Sequence, residues 1–133
     1  MLKDKLTAMG CPLNGPATAL QIASLSLRCE GKLDPTYVQI YSQFNGFRDY
    51  ESHDPSFIHV WSIEEILSSE LNLSEWGTYL PFADEFICAD MFMFDPADAL
   101  RPILKYNDRS ISADSSISFW QGFVDGHYDA ATR

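Results

Sequence analysis

A chain of 133 residues with 46% apolar content and a formal net charge of −10 is long enough to form one domain that buries roughly two thirds of the surface its unfolded form exposes, so it needs no disulfide or metal staple. The charge disfavours nucleic acid and anionic membrane as partners and favours a basic one. It is also segregated: no Lys or Arg lies between Arg48 and Arg101, and residues 49–100 hold twelve of the 19 carboxylates.

Residues 1–14 read as a loosely held N-terminal arm, because Cys11-Pro12-Leu13-Asn14-Gly15-Pro16 is rich in breakers. Lys3 and Lys5 are followed by no apolar run, so a secretory leader is not expected there. Residues 15–133 then form the domain. Thr18-x-x-Gln21 has the form of a capping box, and Leu20, Ala23, Ser24 and Leu27 recur at helical spacing up to Gly31. Asp34-Pro35 caps a second helix whose apolar stripe is Tyr37, Ile40, Tyr41 and Phe44, ended by Asn45-Gly46. Arg48 to Ser56 reads as an exposed loop.

Phe57 to Trp61 has strand composition, and Ser62-x-x-Glu65 opens a short helix through Ile63, Ile66 and Leu67. Residues 78–83 and 86–94 look like neighbouring strands separated by Asp84-Glu85 and ended by Asp95-Pro96, with Pro81 at an edge or a strand end. Ile103 to Tyr106 is a further short strand. The last helix, capped by Asp114 or a neighbouring serine, buries Ile117, Trp120, Phe123 and Val124 and stops at Gly126. The expected class is α+β, a mostly antiparallel sheet packed with two N-terminal helices, a short middle helix and a C-terminal helix.

Cys11, Cys29 and Cys88 are far apart and odd in number, which points to free thiols in a reducing compartment, the cytoplasm. No run approaches the roughly 20 apolar residues of a membrane span. His53, His59 and His127 make no metal pattern, and His59, alternating with Ile58 and Val60, is expected on the less buried face of its strand. Asp90, Asp95 and Asp98 lack calcium-loop spacing. No metal, no cofactor and no catalytic residue is expected from these patterns.

The order of elements and their punctuation resemble the SUKH superfamily, the group containing yeast cell-wall regulators and many bacterial toxin-immunity proteins. The likeness rests on Gly15-Pro16-Ala17-Thr18 leading through paired helices to Phe44-Asn45-Gly46-Phe47, on Tyr79-Leu80-Pro81-Phe82-Ala83-Asp84, and on Ile111-Ser112-Ala113-Asp114-Ser115 before Phe119-Trp120 and Phe123. The chain departs from the family pattern at Ile87-Cys88-Ala89-Asp90, which has no glycine after the acidic turn, and at Leu33-Asp34-Pro35, where the family often has Leu-Pro. The resemblance implies a non-enzymatic binding domain, such as an immunity protein that neutralises a basic, nuclease-type toxin. A regulatory or scaffold module of the same fold with no toxin partner is the alternative.

An inhibitor of a phosphate-binding site needs carboxylates and aromatics on one surface. Asp49, Tyr50, Glu51 and Asp54 after the Asn-Gly, with Asp84, Glu85 and Asp90 around the strand turn, are the candidate contact groups. Taken singly, each carboxylate is more readily read as part of a solvated face that keeps the protein soluble. Phe47 is expected in the core and Trp76 is the tryptophan expected to test for exposure.

Overall fold

A computed structural model describes residues 2–49, 52–54, 57–69, 77, 79–87 and 89–125. Among these residues, five helices and five strands follow in the order α1 Leu2–Ala8, α2 Ala19–Arg28, α3 Pro35–Gln43, β1 Ile58–Val60, α4 Ile63–Leu67, β2 Leu80–Glu85, β3 Asp90–Phe94, β4 Ile103–Lys105, β5 Ile111–Ala113 and α5 Ser116–Asp125. The strands form one antiparallel sheet in the order β1-β2-β3-β4-β5, each pairing with its neighbour in sequence. The class is α+β, with an antiparallel sheet, N-terminal helices, a short middle helix and a C-terminal helix.

Local chemistry explains most of the helix starts. Thr18 and Gln21 form a reciprocal capping box on α2, Ser62 and Glu65 form another on α4, and Asp34 caps α3 with Pro35 at its first position. On α5 the Ser115 hydroxyl accepts from the Ser118 amide at 3.1 Å, so the cap is a serine rather than Asp114. The α3 stripe is buried as its spacing predicts, through Tyr37, Ile40, Tyr41 and Phe44. Phe82 and Phe92 meet Phe119 of α5 with ring centroids 5.3 and 5.4 Å apart, and Tyr37 of α3 meets Phe94 edge-on at 4.6 Å, so α3 and α5 both cover the sheet with aromatic rings.

Several expectations are corrected. The supposed arm carries α1, whose Leu6 is fully buried in the core. The breaker-rich segment after it is pinned by backbone bonds from Asn14 N to the Gly46 carbonyl, from Arg48 N to Pro12 and from Ala17 N to Tyr41. Pro and Gly there shape a connection whose polar groups are satisfied, and do not mark a loose end. On α2 the face turned inward is Ile22 and Leu25, while Leu20 and Leu27 are 77% and 79% exposed. On α5 Phe119 is buried and Ile117 is exposed. Apolar spacing identified both helices, but two overlapping stripes were available and packing against α4 and the sheet chose between them.

Asp84 and Glu85 do not separate two strands; they are the last residues of β2, and the turn follows them at Phe86, Ile87 and Ala89. Pro81 lies in an interior strand beside a register shift between Pro81 and Ala83, where a missing N–H is tolerated. His59 is buried, at 3% exposure, because Phe47 and Asp54 cover the outer edge of β1: Phe47 N donates to the Val60 carbonyl and Asp54 N to that of Ile58. The Val124 side chain is not among those described, and Trp76, Cys88, Gly126 and His127 lie outside the described residues.

Candidate functional site

Three loops meet at one end of the sheet. The loop before β1 and the β2–β3 turn are joined because β1 pairs with β2: Ile58 stands opposite Glu85, and Phe86 N donates to the Phe57 carbonyl at 2.9 Å. The β4–β5 turn braces the other side, where the Asn107 amide donates to Asp90 Oδ1 at 3.1 Å and Asn107 Nδ2 to the Ala89 carbonyl at 3.1 Å. The described residues of the two segments singled out from sequence, 49–54 and 84–90, are thereby brought to the same end of the sheet.

Their carboxylates have divided duties. Asp54 is 2% exposed, and its side chain accepts from Ile58 N at 2.8 Å, closing the tight loop that leads into β1. Asp84 is 4% exposed and accepts from the Trp61 indole at 2.6 Å. Glu85, half-buried, pairs with Lys105 at 3.1 Å, and Asp90 accepts from Met91 N and Asn107 N to hold the turn. Asp49 is exposed. Tyr50 and Glu51 lie outside the described residues. Among the described candidates, Asp49 is thus the carboxylate most open to solvent, and the fold itself uses the others.

What reaches solvent beside them is aromatic and aliphatic. Phe57, Phe86 and Ile87 are 48%, 59% and 58% exposed. The Phe57 and Phe86 rings stack with centroids 5.4 Å apart and 21° between planes, and His53 continues the row at 4.8 Å from Phe57. All three apolar residues lie in the left-handed backbone region, with φ of 69°, 51° and 54° respectively. For bulky or β-branched side chains that conformation costs about 1–2 kcal/mol each, and partial exposure returns little of it. Sequence reasoning missed this cluster because Phe86-Ile87 reads as the start of a strand. The available signal was two large apolar residues straight after an acidic pair, in a turn lacking glycine.

Below the surface, His59 links the loop to α4. Its Nδ1 donates to the Ser52 carbonyl at 2.6 Å and its Nε2 to Glu65 at 3.0 Å. Both ring nitrogens face acceptors, which suits the protonated imidazolium. Burial alone pushes the His59 pKa down, and the bonds to Glu65 and Ser52 outweigh it, so the group is raised above its ordinary value of 6.5. Burial pushes Glu65 up, and His59 with the Ser62 amide outweighs that, leaving it below 4.5. Neither group lines the cavity of about 270 Å³, which lies between α1, α3 and α5 against Ile40, Ile117 and Trp120.

Among the described residues no three His, Cys, Asp or Glu side chains are grouped to hold a metal ion, and no helix is long and apolar enough to cross a membrane. In comparisons with known proteins, no family model matches the chain and no curated protein matches it.

Proposed function

We propose that this chain is a non-enzymatic protein-binding domain of the SUKH type, an immunity protein that neutralises a basic, nuclease-type toxin by holding it against the sheet end that carries Phe57, Phe86, Ile87 and the turn at 106–110. The observation that carries the reading is the exposed Phe57–Phe86 stack with Ile87 beside it, on a chain of net charge −10. Of the described charged residues at this end, Arg48, Asp49, Asp108 and Arg109 are exposed, while Asp54 and Asp84 are buried and Glu85 pairs with Lys105. Aromatic and aliphatic anchors ringed by charge are the composition of a protein interface, with the apolar centre supplying affinity and the charge supplying steering and partner choice. Basic protein surfaces are attracted to a chain of net charge −10 and nucleic acid is repelled.

Expression of the product of the adjacent gene, with and without this chain, tests the reading. Growth arrest rescued by the chain, and lost with Asp49→Lys or Phe86→Asp variants that remain folded by circular dichroism, is the expected result. A non-toxic neighbour whose complex with the chain is salt-insensitive would overturn both the immunity role and its electrostatic basis, leaving a regulatory or scaffold module.

A further inference from the structure

We infer that His59 is a proton-operated latch: charged, it ties the loop before β1 to α4, and neutral, it lets go of Ser52 while keeping Glu65. Its ring stands between two acceptors, with Nδ1 2.6 Å from the Ser52 carbonyl oxygen and Nε2 3.0 Å from a Glu65 carboxylate oxygen. Only the imidazolium carries a hydrogen on both nitrogens; the neutral ring has one donor and one lone pair. The ring is therefore fully paired in one protonation state and half paired in the other. At 3% exposure a lost bond is not simply handed to solvent, and a buried polar group without a partner is costly.

The two bonds are unequal, which decides the side that yields. A bond to a carboxylate is charge-assisted and stronger than one to a neutral carbonyl, and Glu65 is fixed independently, because its Oε1 accepts from Ser62 N at 2.9 Å in the capping box of α4. The neutral ring keeps its hydrogen on Nε2 and turns the Nδ1 lone pair toward a carbonyl oxygen 2.6 Å away, where two acceptors repel. Ser52 is the partner free to move. Its amide and hydroxyl bond back to carbonyls of its own loop, those of Arg48 and Asp49. Among the described residues of 49–53, the hydrogen bond that reaches the sheet is the one to His59. The ends of the loop stay held by other bonds, Arg48 N to the Pro12 carbonyl and Asp54 N to that of Ile58.

The groups around the ring set the direction of the switch. Glu65 approaches from α4, and Asp84 stands opposite His59 in the pairing of β1 with β2; both favour the imidazolium. Glu64, also on α4, is turned to Asn45 and Gln21. In the loop, Asp54 gives its carboxylate to the Ile58 amide, while Arg48 and Asp49 are exposed. The Phe47 ring meets the imidazole edge-on at 6.0 Å. With its proton held above the ordinary value of 6.5, the latch is closed below 6.5 and opens as pH rises through the folded value. Ser52 is followed by His53, whose ring lies 4.8 Å from that of Phe57, so opening loosens one end of the exposed ring row.

The test is NMR of the full nitrogen-15-labelled chain from about pH 5.5 to about pH 9, following the His59 ring nitrogens and the backbone amides together. As pH rises, His59 Nδ1 is expected to lose its hydrogen while Nε2 keeps it, and the Ser52 amide is expected to shift with the same midpoint. Exchange of that amide, corrected for its intrinsic rate, is expected to rise by up to about tenfold per pH unit between 6.5 and the midpoint and to level off above it, because one proton leaves with each opening. Glu65→Gln keeps the capping box and an acceptor but removes the charge, so both midpoints are expected to fall together. In His59→Gln the Ser52 response is expected to vanish. A neutral ring with its hydrogen on Nδ1, a Ser52 amide that ignores the His59 titration, a midpoint unmoved by Glu65→Gln, or a response that survives His59→Gln would each overturn the latch.

Discussion

The indole N–H of Trp61 donates to the Asp84 carboxylate at 2.6 Å, and both residues are buried, at 8% and 4% exposure. The Trp61 amide also bonds the Phe82 carbonyl at 2.8 Å, so the chain leaving β1 is clipped twice to β2. Asp84→Ala leaves a buried indole donor unpaired and is expected to cost about 1–3 kcal/mol in urea denaturation, while Asp84→Asn, which keeps an acceptor, costs less. Charge reversal at Asp84 therefore reports on folding before it reports on any partner.

Asn45 and Gly46 join α3 to α4. Asn45 Oδ1 accepts from Ile63 N at 2.8 Å and its Nδ2 donates to Glu64 at 2.8 Å. Gly46 lies at φ +71° with the position of a Cβ only 2.4 Å from the Ser62 backbone nitrogen. Gly46→Ala adds backbone strain to a clash that no side-chain rotation relieves, and a loss of about 3 kcal/mol or more is expected. A denaturation midpoint close to wild type would show that the two segments are free to separate.

The His59–Glu65 pair makes stability depend on pH. With its folded pKa raised, His59 contributes fully below its ordinary 6.5, and the contribution is lost as pH rises through the folded value. With its folded pKa lowered, Glu65 contributes above its ordinary 4.5 and loses that contribution as pH falls through the folded value. The pair is thus most stabilising between 4.5 and 6.5. Urea midpoints of wild type and His59→Gln, measured from about pH 5.5 to about pH 8.5, are expected to converge as pH rises. A constant offset across that range would remove the coupling.

Leu6 belongs to the core although it stands in the first helix, fully buried with Tyr37 and Phe119 in one cluster. Leu6→Ala is expected to cost about 2–4 kcal/mol and to lower the melting temperature by about 5 °C or more. An unchanged calorimetric transition would mean that α1 contributes little to the cooperative unit.

Ile87 is a β-branched residue at φ +54° that is 58% exposed. Glycine there relieves the strain and forfeits little burial, so Ile87→Gly is expected to hold stability or raise it by about 1 kcal/mol despite the added freedom of the unfolded chain. Partner affinity is expected to fall in the same variant. Thermal melts paired with binding measurements separate the two effects; a lower melting temperature would make Ile87 a packing residue.

Short-range chemistry was legible in the sequence wherever it depends on residues a few positions apart. The Thr18–Gln21 and Ser62–Glu65 capping boxes, the Asp34-Pro35 start and the Tyr37–Phe44 stripe all lie within one or two helical turns, and each forms as its spacing predicts. The α+β class followed from the order of those elements. Burial was less legible, since Leu20 and Leu27 of α2 satisfy the same periodicity as the inward-facing Leu25.

From the sequence alone came the class of the fold, the helix caps and an excess of acid in the middle of the chain, because composition and local hydrogen bonding need no knowledge of distant residues. Tertiary structure decided which acids are spent inside the fold. Asp54 and Asp84 carry charged side chains that composition alone assigns to the surface, yet they end 2% and 4% exposed, Asp84 opposite His59 in the pairing of β1 with β2. The same pairing sets Phe57 beside Phe86, 29 positions later, a contact that no local pattern encodes.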